Sequence, residues 1–377
     1  MFYLNIKMWY DDFMSIIIFI VILLVLVVSH EFGHFIVAKK SGIRVDEFSF
    51  GFPPKIWGKK VGETTYNLNA LPFGGYVKIF GENGDDVTIT EEDKKRSFTS
   101  KPRYIQALVL VAGVVMNFLV AWLLLSVGFM SGLPSSTSMA PKGGVMANQY
   151  LTITSVNKGS PAELAGLKAG DKIIKLSNVD DYTTTPSAES VQYFIRKHGI
   201  ENIKIDIERG PEAKEINVTP SINKEGTPAI GIAMDMIGTL KLPIHKAVWE
   251  GLKLTSDITA GTAVGFYKLI SNAIIGKGDM SAVTGPIGII GVVGDAAKFG
   301  FIYLLSFTAL ISINLAVINL LPFPALDGGR LLFLLIEKIK GSRINPKIGN
   351  WVNMIGFGLL MILMIFITYH DIVKLIK

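Results

Sequence analysis

Four stretches of this chain are each apolar over enough residues to cross a lipid bilayer, and that property narrows the possible folds more than any other. They run from about Ser15 to Ala38, Ile105 to Met130, Phe301 to Leu321 and Trp351 to Tyr369. A hydrocarbon core ~30 Å thick takes ~20 helical residues to span. Composition agrees: half of the 377 residues are hydrophobic, only 18% are charged, and the mean hydropathy is +0.44. A soluble chain needs more charge than that to cover its surface. The first stretch does not read as a cleaved signal peptide, because Asp11 and Asp12 make its upstream flank acidic and no small-residue cleavage site follows. The expected fold is therefore an α-helical membrane protein of four transmembrane helices, with a soluble insert between the second and third.

Charge orients these spans. Lys39, Lys40, Arg44, Lys55, Lys59 and Lys60, then Lys94, Lys95, Arg96, Lys101 and Arg103, fall between the first and second. Arg330, Lys338, Lys340, Arg343 and Lys347 fall between the third and fourth. Both connections are expected on the cytoplasmic side, with the N-terminus and the insert outside. Lys374 and Lys377 in the short tail point the other way and are outvoted. The protein is thus expected as a multi-pass resident of the cell inner (cytoplasmic) membrane, with the lipid bilayer as its standing partner. A net charge of +6 could suggest nucleic acid, but the excess sits beside apolar blocks, so no nucleic-acid partner is expected. The chain has no cysteine, so disulfides are ruled out and any metal must be held by His, Asp or Glu.

The insert reads as a small α/β domain. Leu151–Val156 alternates like a strand and Lys172–Leu176 is a second; Asn202–Glu208 and Lys214–Val218 alternate again. Between them Ser187–Lys197 has helical spacing at Val191, Phe194 and Ile195. Further on, Lys246, Glu250, Lys253 and Asp257 form a charged stripe opposite Val248, Leu252 and Ile258. That amphipathic helix could lie on the membrane surface or pack on the small domain.

The strongest chemical signal is His30-Glu31-Phe32-Gly33-His34 near the end of the first span. Residues i and i+4 share a helix face, so both imidazoles can reach one Zn²⁺ while Glu31 approaches its water as general base. Zinc lowers the pKa of such a water towards ~7. A charged side chain within the bilayer costs ~2.5–3.5 kcal/mol even on a lenient scale, so Glu31 there needs a reason. His30 lies ~22 Å into a span that starts near Ser15, at 1.5 Å per residue. The bland alternative is a helix end whose polar residues meet the headgroups. Hydrolytic zinc sites usually take a third ligand, and Asp327 in Asn319-Leu-Leu-Pro-Phe-Pro-Ala-Leu-Asp327-Gly-Gly329 is the candidate. Pro322 and Pro324 should end the third helix, and Gly328 and Gly329 permit a close backbone approach at comparable depth. An ordinary solvated aspartate at a helix end is the alternative there.

These motifs resemble the site-two proteases, particularly bacterial members with an outward PDZ domain. The resemblance covers nearly the whole chain. It rests on His30–His34, on the NxxPxPxLDG stretch Asn319–Gly328, and on Gly113-Val-Val-Met-Asn117 in the second span. Leu71-Pro-Phe-Gly-Gly-Tyr-Val77 and the PDZ-like Gly159-Ser-Pro-Ala-Glu-Leu-Ala-Gly-Leu-Lys-Ala-Gly-Asp171 add to it. It implies His30, His34 and Asp327 as zinc ligands, Glu31 as catalytic base and Asn319 near the substrate backbone. The implied activity is hydrolysis of single-span membrane proteins, such as membrane-tethered anti-sigma factors or remnant signal peptides.

Thr64–Leu68 and Tyr76–Phe80 flank Pro72-Phe73-Gly74-Gly75 and read as a membrane-associated β-hairpin close to the site. Gly74 and Gly75 are the expected substrate-binding positions, since an exposed strand edge can hold an extended peptide by main-chain hydrogen bonds. The PDZ-like insert could bind a peptide terminus or exclude bulky substrates. His198, His245 and His370 stand alone and read as solvated or interfacial. Four regions follow: 1–130 with the first two spans and the cytoplasmic hairpin, 145–222 as the PDZ-like domain, 240–298 as amphipathic helix and linker, and 299–377 with the last two spans. A zinc transporter or a PDZ scaffold would be the rival readings. The first needs a continuous polar path that spans two and four do not offer, and the second has no use for Glu31.

Overall fold

The computed structural model describes residues 2–82, 90–137, 144–183, 186–210, 212–223, 226–276 and 284–376. Lys377, the stretch 277–283 of the expected linker, and the side chains of Asp11, Asp12 and Phe73 lie outside the described residues. The chain opens with α1 (Phe2–Lys40), β1 (Val45–Val61), β2 (Thr64–Ile79), α2 (Glu91–Lys95) and α3 (Arg103–Ser131). There follow β3 (Leu133–Ser136), β4 (Val145–Val156), α4 (Pro161–Leu164), β5 (Lys172–Ser177), β6 (Tyr182–Thr183), α5 (Ala188–His198), β7 (Ile203–Arg209) and β8 (Glu212–Val218). The remainder comprises β9 (Ser221–Ile222), β10 (Pro228–Ala229), β11 (Ile232–Lys241), α6 (Ile244–Ile274), α7 (Pro286–Phe299), α8 (Phe301–Leu320), α9 (Asp327–Lys340) and α10 (Pro346–Ile376). Two compact units result. One takes in the chain up to Leu125, Glu250–Ala297 and the chain from Leu304; the other takes in Ser126–Trp249 and Lys298–Tyr303.

Among the described residues, four helices are long and apolar enough to cross a membrane: Phe13–Lys40, Arg103–Ser131, Phe301–Leu320 and Pro346–Lys374. Small residues let two of them approach closely. A Cβ on Gly33 of α1 would meet the Ala112 carbonyl carbon at 2.7 Å and the Gly113 Cα at 3.0 Å. Ile22 and Leu26 of α1 pack with Val293 of α7, and Val120 of α3 and Leu304, Phe307 and Leu315 of α8 close around them. At 14 residues, α7 is ~21 Å long and too short to span. The amphipathic helix is α6. Its Leu254, Ile258 and Phe266 pack with Ala121 and Leu125 of α3 and Ala309 and Ile313 of α8.

The expected hairpin is corrected. Thr64–Leu68 and the residues after Gly75 do not pair with each other, because the start of β1 lies between them. Phe48 faces both Tyr66 and Val77, and Phe50 faces both Leu68 and Gly75. The tight turn is at Gly62, whose φ of +63° favours glycine, and it joins Val61 to Thr64. Glu63 beside it bonds Lys39 at 2.7 Å and Arg96 at 2.5 Å, tying the turn to the end of α1. The register therefore leaves residues 75–79 as an edge, with β1 on one side only.

The second unit is built on an antiparallel sheet in the order β3-β11-β4-β5-β7-β8, with β6 paired to β5. Its strands at β3 and β11 fall outside 145–222. Alternation does the sorting: Ile203, Ile205 and Ile207 of β7 point into the core, against Leu151, Ile153, Ile173 and Leu176. Val191, Phe194 and Ile195 of α5 cover that face, and Ser187 caps the helix by accepting from the Ser190 N–H. Each such aliphatic side chain contributes ~1.5–3 kcal/mol by leaving water.

Candidate metal centre

The helical turn of α1 from His30 to His34 sets two imidazoles on one face, and the break after α8 brings a carboxylate to them. The ring Nε2 atoms of His30 and His34 lie 3.1 Å apart. Asp327 Oδ2 lies 3.0 Å from the first and 3.3 Å from the second. Ligand atoms held ~2.0–2.2 Å from a tetrahedral ion stand ~3.3–3.6 Å from one another, so a small outward shift of these groups, a few tenths of an ångström, would admit such an ion. Among the described residues, this is the group of His, Asp and Glu side chains able to hold a metal.

The surroundings prepare both rings for that duty. His34 Nδ1–H donates to the Val109 carbonyl at 2.8 Å, which leaves the lone pair on Nε2 directed at the centre. His30 Nδ1 lies 3.4 Å from the Asn117 amide, whose Oδ1 is buried without a partner. Amide orientation is an assignment, and turning it sets the orphaned oxygen against Nδ1–H and frees the second Nε2. The Asn117 carbonyl in turn accepts from Ser312 Oγ at 2.8 Å, so α8 braces the residue that steadies His30. Gly113 stands against both rings. A Cβ there would overlap His34 Nε2 and lie 2.7–2.8 Å from His30.

Asp327 owes its place to a contorted connection. Helix α8 stops at Leu320, before Pro322 and Pro324, as the missing N–H groups demand. Ala325 then takes a φ of +72°, uncommon for a residue with a Cβ, and its N–H donates to Asn353 Oδ1 at 3.2 Å. A Cβ on Gly328 would strike the Leu320 and Leu321 carbonyls, and one on Gly329 the Phe323 carbonyl. Glycines here let α9 start against the end of α8 and swing Asp327 towards α1.

Glu31 sits beside the triangle, and its Oε2 accepts the Val77 N–H at 3.1 Å. A cavity of about 370 Å³ opens over the group, lined among others by Tyr76, Val77, Asn117, Asn319 and Arg330. Of the expected substrate-binding residues, Asn319 lines it. Gly74 and Gly75 do not; they lie farther up the strand, beside Val27 and Val28 of α1. Three residues carry more of the site than their sequence context indicated. Asn117 had only a weak GxxxN signal, while Arg330 and Glu82, which form an ion pair on the cavity wall, had none. The cavity holds three carboxylates (Glu31, Glu82, Asp327) and one guanidinium, a surplus of two negative charges that a divalent cation cancels.

Two imidazoles, a carboxylate and an adjacent second carboxylate in a cleft are the equipment of a metal-dependent hydrolase. Comparison with known proteins gives the lineage. The model for peptidase family M50 matches residues 18–363, and the chain belongs to that family. A protein of Clostridium acetobutylicum is 34% identical over 96% of this chain and 98% of its own. The regulator of sigma-W protease RasP of Bacillus subtilis is 30% identical over 96% of this chain and 99% of its own. The zinc metalloprotease RasP of Geobacillus kaustophilus is 29% identical over 96% and 98%. Among solved structures, the PDZ domain of an SdrC-like protein from Listeria monocytogenes aligns at 25% identity over 22% of this chain and 86% of its own, with a TM-score of 0.20. The chain is an intramembrane zinc metalloprotease, a membrane protein that hydrolyses peptide bonds, and not a transporter or scaffold.

Proposed function

We propose that His30, His34 and Asp327 hold the zinc and that Glu31 is the general base of peptide hydrolysis. The observation that carries this is the triangle of Nε2, Nε2 and Oδ2 atoms, 3.0–3.3 Å on a side, with the Glu31 carboxylate adjoining. Zinc, when bound, supplies a water that ionises near neutral pH and polarises the carbonyl. Glu31 takes the proton of that water and returns it to the leaving nitrogen. Val109 and Asn117 keep the imidazoles in the ligating tautomer and orientation.

The substrate enters as an added strand. Val77 turns its N–H away from β1 towards Glu31, and residues two apart along a strand point the same way, so the part of the edge that holds Tyr76, Val77 and Ile79 lies along the cavity. An unwound substrate that pairs there presents its main chain to Glu31, in the cavity that Asn319 also lines. Unwinding matters because a helical amide is shielded by its own turn. The far end of the sheet exposes Phe52, Ile56, Trp57 and Leu71 beside Lys55, Lys59 and Lys60, a surface suited to dip into the headgroup region.

The protein crosses the inner membrane four times, with the catalytic side cytoplasmic and the second unit, a PDZ-like domain, outside. Single-span membrane proteins are its substrates. The name of the Bacillus subtilis relative favours sigma-factor regulation, hence tethered anti-sigma factors, with remnant signal peptides as the second group. Glu31→Gln tests the assignment: it should retain zinc, bind a model transmembrane substrate and fail to cut it. Cleavage at the parent rate would remove Glu31 from its role.

A further inference from the structure

Arg330 follows Asp327 by three residues on α9, so the two side chains leave the same face of the helix. It lines the cavity with His30, Glu31 and Asn117, and about a third of its side chain (34%) remains open. Among the described residues the guanidinium bonds only Glu82, through Nη1, whereas a guanidinium carries five N–H donors in a rigid plane. Burial pushes its pKa down and the Glu31 carboxylate opposes that; a guanidinium stays protonated under both. Asn319 and Tyr76 also bring N–H and O–H groups to the cavity, but among its lining residues Arg330 is the one lysine or arginine cation. Both imidazoles give their Nδ1 edges to Val109 and Asn117, and Glu31 is an acceptor. Peptide hydrolysis, however, drives negative charge onto the scissile carbonyl oxygen, and a fixed donor aimed at that oxygen is worth most in a water-poor site.

We propose that Arg330 is a further catalytic residue, whose guanidinium receives the scissile carbonyl oxygen as negative charge develops on it, with Glu82 holding the guanidinium in place. The inference rests on the assignment of Glu31 as base. In the addition step the water oxygen bonds the carbonyl carbon, its proton passes to Glu31, and the carbonyl π pair moves onto oxygen against Arg330. In the collapse that pair re-forms the C=O bond, the C–N bond breaks, and Glu31 gives its proton to the departing nitrogen. Peptide and water become carboxylic acid and amine, with nothing left over.

The test uses the full chain, zinc-loaded in detergent, with a cleavable transmembrane substrate. Arg330→Gln should lower kcat by ~10²–10³-fold, the cost of removing one oxyanion donor. KM should stay within a few-fold, and zinc content and melting temperature should match the parent. Glu82→Gln breaks the ion pair but leaves the cation, and should cost less than ~10-fold. Should Arg330→Gln fail to load zinc, Arg330→Lys carries the test: a point charge without the fork should lose ~10-fold in kcat at unchanged KM, and a parent-like kcat overturns the inference. A binding measurement adds a readout apart from turnover. In the Glu31→Gln background, a product-like peptide ending in a free carboxylate should bind more tightly than its amide, and adding Arg330→Gln should narrow that preference. Equal losses in Arg330→Gln and Glu82→Gln, with lowered melting temperature, would make the pair a structural brace and overturn the proposal. An inert Glu31→Gln beside a parent-like Arg330→Gln overturns this inference alone; a parent-like Glu31→Gln overturns the assignment beneath it.

Discussion

Gly113 carries no side chain because two imidazoles occupy the space that one would need. Gly113→Ala separates packing from helix stability: alanine favours a helix interior by ~1 kcal/mol over glycine, yet its methyl would press on His30 and His34. The variant should stay folded while zinc affinity falls ~10–100-fold, the scale seen when a ligand's support is disturbed. Elemental analysis after dialysis against a chelator checks it, and parent-like zinc would mean that the rings relax at no cost. At this scale, what could be read in the sequence depended on spacing. His30, Glu31 and His34 stand within one turn, so their chemistry is visible as a pattern, and Asp327 is flagged by prolines and glycines around it. Glu82 and Arg330 meet across 248 residues. No local period records such a pairing, and each alone looks like an ordinary surface charge.

Helix α7 begins with Pro286 and has its first N–H groups satisfied from far away. Asp371 of α10 accepts from Gly285 at 3.2 Å and from Gly288 at 2.9 Å, the part an N-cap side chain plays at the start of its own helix. Both glycines are crowded by that carboxylate, so a larger residue would push α7 off α10. Asp371→Ala strands buried donors at ~1–3 kcal/mol each and should lower the melting temperature in detergent; Asp371→Asn keeps one acceptor and should lower it less. Equal melting for Asp371→Ala and the parent would mean that water replaces the carboxylate. Elements were legible where a single segment carries its own reason. The long apolar runs fall on α1, α3, α8 and α10, and the alternating runs from Leu151 and Asn202 fall on β4 and β7. What failed was pairing. The pattern on either side of Pro72–Gly75 suits two strands, but nothing in it says that β1 lies between them. Likewise α7 is apolar without being long, so hydropathy alone left it inside a linker.

A cysteine-free chain makes the arrangement across the membrane directly testable. On the proposed orientation, Lys59→Cys should resist an impermeant thiol reagent added outside intact cells, while Lys158→Cys, exposed on the second unit, should react. Labelling of Lys59→Cys from outside would invert the topology. The distance along the chain between His30 and Asp327, 297 residues, has a consequence in time. A ribosome that has delivered the first two spans and the whole second unit has made a chain with the two imidazoles of the proposed site but not its carboxylate. Only when the end of α8 has been threaded does the Asp327 carboxylate arrive. On the proposed ligand set, synthesis therefore completes the zinc site only after the whole second unit has been made.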